Sequence, residues 1–157
     1  MLIKRKFIAS VILFTIVFGF SCDRQKTLFE SLPPSKTGIT FQNNLPEREG
    51  FGILYYIYYY NGGGVATGDI NNDGLVDIYF TANTKGGNKL YLNKGNFQFE
   101  DITEKAGVAG TADWCSGVTM ADVNGDGWLD IYVSAVSGLL VLSCHNQLFI
   151  FNGSSSP

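Results

Sequence analysis

Two short stretches of this chain gather oxygen donors at a fixed spacing. In DINNDGLVD, residues 69–77, Asp69, Asn71, Asp73 and Asp77 hold positions 1, 3, 5 and 9. In DVNGDGWLD, residues 122–130, Asp122, Asn124, Asp126 and Asp130 hold the same positions 53 residues later. Three carboxylates and an amide oxygen within one loop repel each other, and a hard cation relieves that repulsion. Oxygen-only donors, joined by the position 7 carbonyls of Leu75 and Trp128, suit Ca²⁺, which takes roughly six to eight oxygens in flexible geometry. Mg²⁺ ranks second because it keeps several waters and seldom accepts an all-protein cage. Gly74 and Gly127 stand at position 6, where the chain must turn sharply. Asp, Asn and Gly are also ordinary turn formers; their recurrence in register is what favours the cation.

The elements around these loops are strands. An EF-hand needs a bidentate Glu at position 12 and a helix on each side, whereas position 12 here is Phe80 and Val133. The residues that follow each loop, Ile78-Tyr79-Phe80 and Ile131-Tyr132-Val133, are β-branched and aromatic, a composition that favours strand. Each loop is therefore expected to join two strands.

The segments GGGVATGDINNDGLVDIYF, NKLYLNKGNFQFEDITEKAGV and WCSGVTMADVNGDGWLDIYV resemble the FG-GAP-like (VCBS) repeats of integrin-type β-propellers and of bacterial proteins similar to cartilage acidic protein. The resemblance implies an all-β fold of propeller-type blades with calcium loops between strands. Asp69, Asn71, Asp73, Asp77 and their second-copy counterparts match its liganding positions. It implies less about function, because such repeats serve adhesion, ligand binding and scaffolding alike.

Other chemistry finds little support. The single histidine, His145, lies in an irregular C-terminal stretch and reads as a turn residue. Cys115 and Cys144 could pair in an oxidising compartment, and spacing does not decide it; Cys115, beside Trp114, reads as a small core hydrophobe. Gly62-Gly63-Gly64 is not a phosphate loop, since no Gly-Lys-Ser/Thr follows and Gly68 is succeeded by Asp69. These glycines read as backbone adapters. No catalytic residue is assigned, and the chain is not expected to be an enzyme.

Residues 1–22 read as a secretory signal: Lys4-Arg5-Lys6, an apolar run from Phe7 to Phe20, then Cys22. The run is too short to span a bilayer comfortably. Cys22 directly after it resembles a lipobox, although Gly19 stands where Leu is usual, so Cys22 is the expected lipid-attachment site and a bacterial outer membrane the expected location. Without Lys4, Arg5 and Lys6, a mature chain from Cys22 has 8 basic and 14 acidic side chains, six of the acids in the two loops. Such an acidic balance without a basic patch excludes nucleic acid as a partner.

Residues 23–37, with Pro33-Pro34, read as a tether, 38–153 as the repeat region and 154–157 as an irregular tail. Within the repeat region, Ile39–Gln42 is expected as a short strand and the run ILYYIYYY, residues 53–60, as a strand covered on both faces. Lys89–Leu92 and Phe97–Glu100 flank the turn Asn93-Lys94-Gly95-Asn96, and 101–110 has helical leanings for a turn or two. After the second loop the spacing changes: the segments starting at Asn88 and Asn146 are 58 residues apart, and the apolar Leu139–Leu142 has no counterpart in the first unit.

Two units do not close a propeller, and repeat arrays usually need about three or more units. The chain is thus expected to be the N-terminal part of a longer protein; if it is complete, its open edge predicts self-association. The sequence reads as the calcium-binding repeat segment of an exported cell-envelope lipoprotein, an interaction module for a protein or glycan at the cell surface. The rival readings are the N-terminal part of an envelope carbohydrate-active enzyme, or a truncated product without a function of its own.

Overall fold

The structure is a computed structural model that describes residues 27–45, 47–136 and 144–153. The signal-like segment, Cys22, the apolar stretch at 139–142 and the tail at 154–157 lie outside the described residues.

The fold is all-β. Strands β1 (Val65–Gly68), β2 (Asp77–Phe80), β3 (Lys89–Asn93) and β4 (Phe99–Asp101) form a four-stranded sheet in sequential order. Each neighbouring pair is antiparallel. Strands β5 (Cys115–Ala121), β6 (Asp130–Ala135) and β7 (Gln147–Phe149) repeat the first three positions of that meander. The acidic loops connect β1 to β2 and β5 to β6, as their flanking residues require. Among the described residues the two sheets close no ring or barrel.

The registers make the repeat explicit. In the first sheet Ile78 faces Tyr91 and Phe80 faces Lys89. In the second, Ile131 faces Phe149 and Val133 faces Gln147. The shift between units is 53 on the middle strand and 58 on the third, so the additional residues fall between β6 and β7, the connection that contains Leu139–Leu142. Asparagine fixes the third strand in both units. Asn88 accepts the N–H of Ala82 through Oδ1, and Asn146 does the same for Ala135, both at 2.9 Å.

The core lies between and beneath the sheets, from Tyr79, Leu90 and Leu92 of the first to Cys115, Ile131 and Val133 of the second, with Ile70, Ile102 and Val108 contributed by connections. The buried Tyr79 hydroxyl donates to the Val108 carbonyl at 2.6 Å. The helical leaning of 101–110 is realised as one turn, α2 (Thr103–Ala106), ended by Gly107 at φ 71°. A second single turn, α1 (Pro34–Thr37), ends at Gly38, φ 78°.

Two expected strands do not form. Residues 39–42 take no sheet partner: the Thr40 N–H donates to the Tyr91 hydroxyl and Phe41 stacks on Phe80, so side chains hold the segment against the first sheet. The run at 53–60 folds into successive turns. The Gly52 carbonyl accepts the N–H groups of Tyr55 and Tyr56, and the Tyr58 carbonyl accepts that of Asn61. Gly52 begins a chain reversal that local turn bonds complete, and only Tyr59 of the run is buried. Tyr59 joins Phe51 and Trp114 in a small second core.

Candidate metal centre

The two acidic loops have nearly the same internal hydrogen bonding. In the first, Asp69 accepts the N–H of Asp73 (3.0 Å) and of Gly74 (2.7 Å), and Asp73 accepts that of Leu75 (2.8 Å). In the second, Asp122 accepts the N–H of Asp126 (3.1 Å) and Gly127 (2.9 Å), and Asp126 that of Trp128 (2.9 Å). The Asn71 and Asn124 side chains each accept the N–H of the following Asp and donate to that Asp's carboxylate. The tight path needs a left-handed residue at position 6, and Gly74 and Gly127 have φ of 86° and 87°. Positions 1, 3 and 5 of each loop are thereby brought together on one exposed turn, with Leu75 and Trp128 just beyond it.

Position 9 is different. Asp77 and Asp130 are 0 % and 1 % exposed. One oxygen of Asp77 accepts the Ile70 N–H at the start of the loop (3.0 Å), and the other accepts the Asn93 N–H at the end of β3 (2.7 Å). Asp130 likewise accepts the N–H of Val123 (3.1 Å) and of Phe151 (2.9 Å). Each is a buried carboxylate that ties its loop to the next strand of the sheet, at the last residue of β3 and two residues past the end of β7. The Asn93 and Phe151 ends of these clamps carry no signal in the local sequence.

The electrostatics follow from these settings. Burial pushes the Asp77 carboxyl above its ordinary range, and Asp73 and Asp69 add repulsion, against the opposing N–H groups of Asn93 and Ile70. Asp122 is held below that range, chiefly by the Gly127 N–H. The ion pairs among the described residues join Lys89 to Asp101 and Lys94 to Glu100, so no Lys or Arg is paired with a loop acid. Nor do three His, Cys, Asp or Glu side chains among the described residues converge as a ready metal cage. The donor chemistry nonetheless suits a hard cation: the carboxylate and amide oxygens of positions 1, 3 and 5 share one turn, and among the described residues no ion pair joins a Lys or Arg to them.

The loops also meet. The Asn72 side chain donates to the Gly127 carbonyl at 3.3 Å. Beneath them, Gly68 passes so close to the second sheet that a Cβ there would stand 2.6 Å from Leu129 Cδ1. A cleft of about 450 Å³ runs between the sheets, lined by apolar residues including Leu92, Ile102, Ile131 and Phe149. Cys115 and Cys144 are both free thiols. His145 meets the Thr111 hydroxyl at 3.3 Å.

Residues 69–133 match the FG-GAP-like repeat family. The chain is also similar to cartilage acidic protein 1 of Xenopus tropicalis, 42 % identical over 73 residues, which is 46 % of this chain and 11 % of that protein. To the mouse (Mus musculus) and human (Homo sapiens) proteins of the same name it is 36 % and 35 % identical over 94 residues, 57 % of this chain and 14 % of each relative. The chain thus matches 11 % to 14 % of the length of these relatives. No solved structure gives a significant match. FG-GAP modules are β-propeller-type and generally serve as interaction domains. Both acidic loops lie inside the region that matches the FG-GAP-like repeat.

Proposed function

We propose that the chain is a non-enzymatic, calcium-stabilised interaction module of an exported lipoprotein, held at a bacterial cell envelope through Cys22. The observation that carries the reading is the shared pattern of the two loops: the same Asp and Asn oxygens, ordered by the same backbone N–H groups, with no ion pair to a cationic side chain among the described residues. When bound, calcium would offset most of each loop's negative charge and tie positions 1, 3 and 5 together, with Asp69, Asn71, Asp73 and Leu75 as holders in one unit and Asp122, Asn124, Asp126 and Trp128 in the other. Asp77 and Asp130, at position 9, fasten each loop to its sheet. The charged segment, apolar run and Cys22 at the N-terminus support export and anchoring, and the match to FG-GAP-like repeats, which generally serve as interaction domains, supports a binding role.

Extracellular calcium modules bind at about 10⁻⁴ to 10⁻³ M. At about 1 mM calcium and a Kd near 0.1 mM, each site stabilises the fold by about 1.4 kcal/mol. Thermal melts in millimolar calcium and in EGTA test the reading. A midpoint several degrees higher with calcium is expected, and coincident melts would remove the structural role of the ion.

A further inference from the structure

We propose that Asn61 converts spontaneously to aspartate and isoaspartate in the folded chain, and that the second acidic loop shields the same dipeptide, Asn124–Gly125, from this reaction. Asn-Gly occurs at 61–62, 124–125 and 152–153. A glycine after asparagine has no Cβ to hinder its nitrogen, and that nitrogen can attack the asparagine amide carbon.

Exposure does not separate Asn61 from Asn124, since both are exposed. Nor does the backbone, since Gly62 and Gly125 are both left-handed, with φ 78°. Hydrogen bonding separates them. The Gly125 N–H donates to Asp122 Oδ1 at 2.7 Å. Asn124 donates through Nδ2 to Asp126 (2.8 Å) and accepts the Asp126 N–H through Oδ1 (3.0 Å). The attacking nitrogen and the target amide are thus both engaged, and the Asp122 carboxylate disfavours a nitrogen that must lose its proton.

At 61–62 the chain is held on either side but not between. The Asn61 N–H donates to the Tyr58 carbonyl at 3.0 Å, and the Gly64 N–H to Thr81 Oγ1 at 2.6 Å. The Asn61 side chain and the Gly62 N–H have no hydrogen-bond partner among the described residues. Space is open too: a Cβ on Gly62 would meet only Asn43 Nδ2, at 3.8 Å. From Gly50 to Gly68 the sequence has no charged residue.

The reaction consumes only water. The Gly62 nitrogen gives its proton to hydroxide and bonds to Asn61 Cγ; the Cγ–Nδ2 bond breaks, and ammonia leaves with a proton from water. Water then opens the cyclic imide at one carbonyl or the other. One product is aspartate; the other is isoaspartate, with the chain rerouted through Cβ and Cγ between the Tyr58 and Thr81 anchors. Either adds a carboxylate to a stretch that has none.

The test incubates the full chain at mildly alkaline pH, folded and in urea, and follows each Asn-Gly site by peptide mass spectrometry, which also keeps Asn152 separate. In the folded chain Asn61 is expected to convert at least about tenfold faster than Asn124, the factor set by a hydrogen bond to a charged group. In urea the two rates should converge. Asn61→Gln, at an exposed site, should abolish conversion at 61, because the longer side chain closes the ring poorly, and should leave 124 unchanged. A folded chain in which Asn61 is as slow as Asn124 overturns the proposal. So does a difference that persists in urea, which would assign it to neighbouring residues and not to the fold.

Discussion

Gly64 and Gly117, equivalent positions of the two repeats, lie against each other where β1 passes β5. A Cβ on Gly64 would stand 2.9 Å from the Gly117 Cα and from the Val118 nitrogen, whereas one on Gly117 would meet nothing within 4 Å. The sheets approach backbone to backbone on one side only. Gly64→Ala should therefore destabilise the fold by about 1–3 kcal/mol, as overpacking does, and Gly117→Ala should cost little or stabilise by up to about 1 kcal/mol through the unfolded chain. Urea melts of the two variants check the asymmetry.

Asp77 and Asp130 each accept two backbone N–H groups. An amide has one acceptor oxygen, so Asp77→Asn or Asp130→Asn sets an NH₂ against a buried N–H. Each substitution should cost about 1–3 kcal/mol. Melts in EGTA isolate this effect from any ion: the loss should persist there, whereas Asp73→Ala, on the exposed turn, should do its damage mainly with calcium present.

The acidic loops and their flanking strands were legible in the sequence because each is specified by residues close together in it; the reversal expected at 93–96 forms at 94–98, because Asn93 still pairs with Phe99 and Phe97 takes a left-handed loop conformation. The 53-residue repeat exposed the shared architecture, and its change to 58 located an insertion. Contacts made at long range were not legible. Nothing near Asp77 names Asn93 as its partner, and nothing near Gly64 shows that its neighbour is its own counterpart. The run ILYYIYYY misleads for a different reason. Strand propensity describes how such residues pack on a half-buried sheet, but Gly52 diverts this run into turns before any sheet partner is met, and hydrophobicity alone did not reveal that most of it faces solvent.

Cys115 is 1 % exposed in the core, and burial pushes its thiol up to about 11. The thiolate is the reactive form, so iodoacetamide at neutral pH should leave Cys115 unmodified in the folded chain and label it fully in denaturant. Site-resolved mass spectrometry measures this. Rapid native labelling would show that β5 opens readily.

Acidification should destabilise the fold through Asp101. Burial raises its carboxyl, but the Thr103 hydroxyl and N–H and the Lys89 ammonium outweigh that and hold it below 3.8. A depressed carboxyl contributes stability that is present above pH 3.8 and is lost as pH falls through the folded value. Asp77, raised above 3.8, acts in the opposite sense, favouring the fold below that pH and losing the contribution as pH rises through its folded value. Denaturant midpoints of Asp101→Asn should consequently fall less steeply than those of the parent chain below pH 3.8. Parallel curves would remove Asp101 from the acid limb.

Equilibrium dialysis of the folded chain against millimolar ⁴⁵Ca²⁺, with the parent beside Asp73→Ala and Asp126→Ala, measures the claim that both loops hold calcium. The expected result is two ions per parent chain and one per single variant. Folded parent chain that retains no calcium at these concentrations would contradict it.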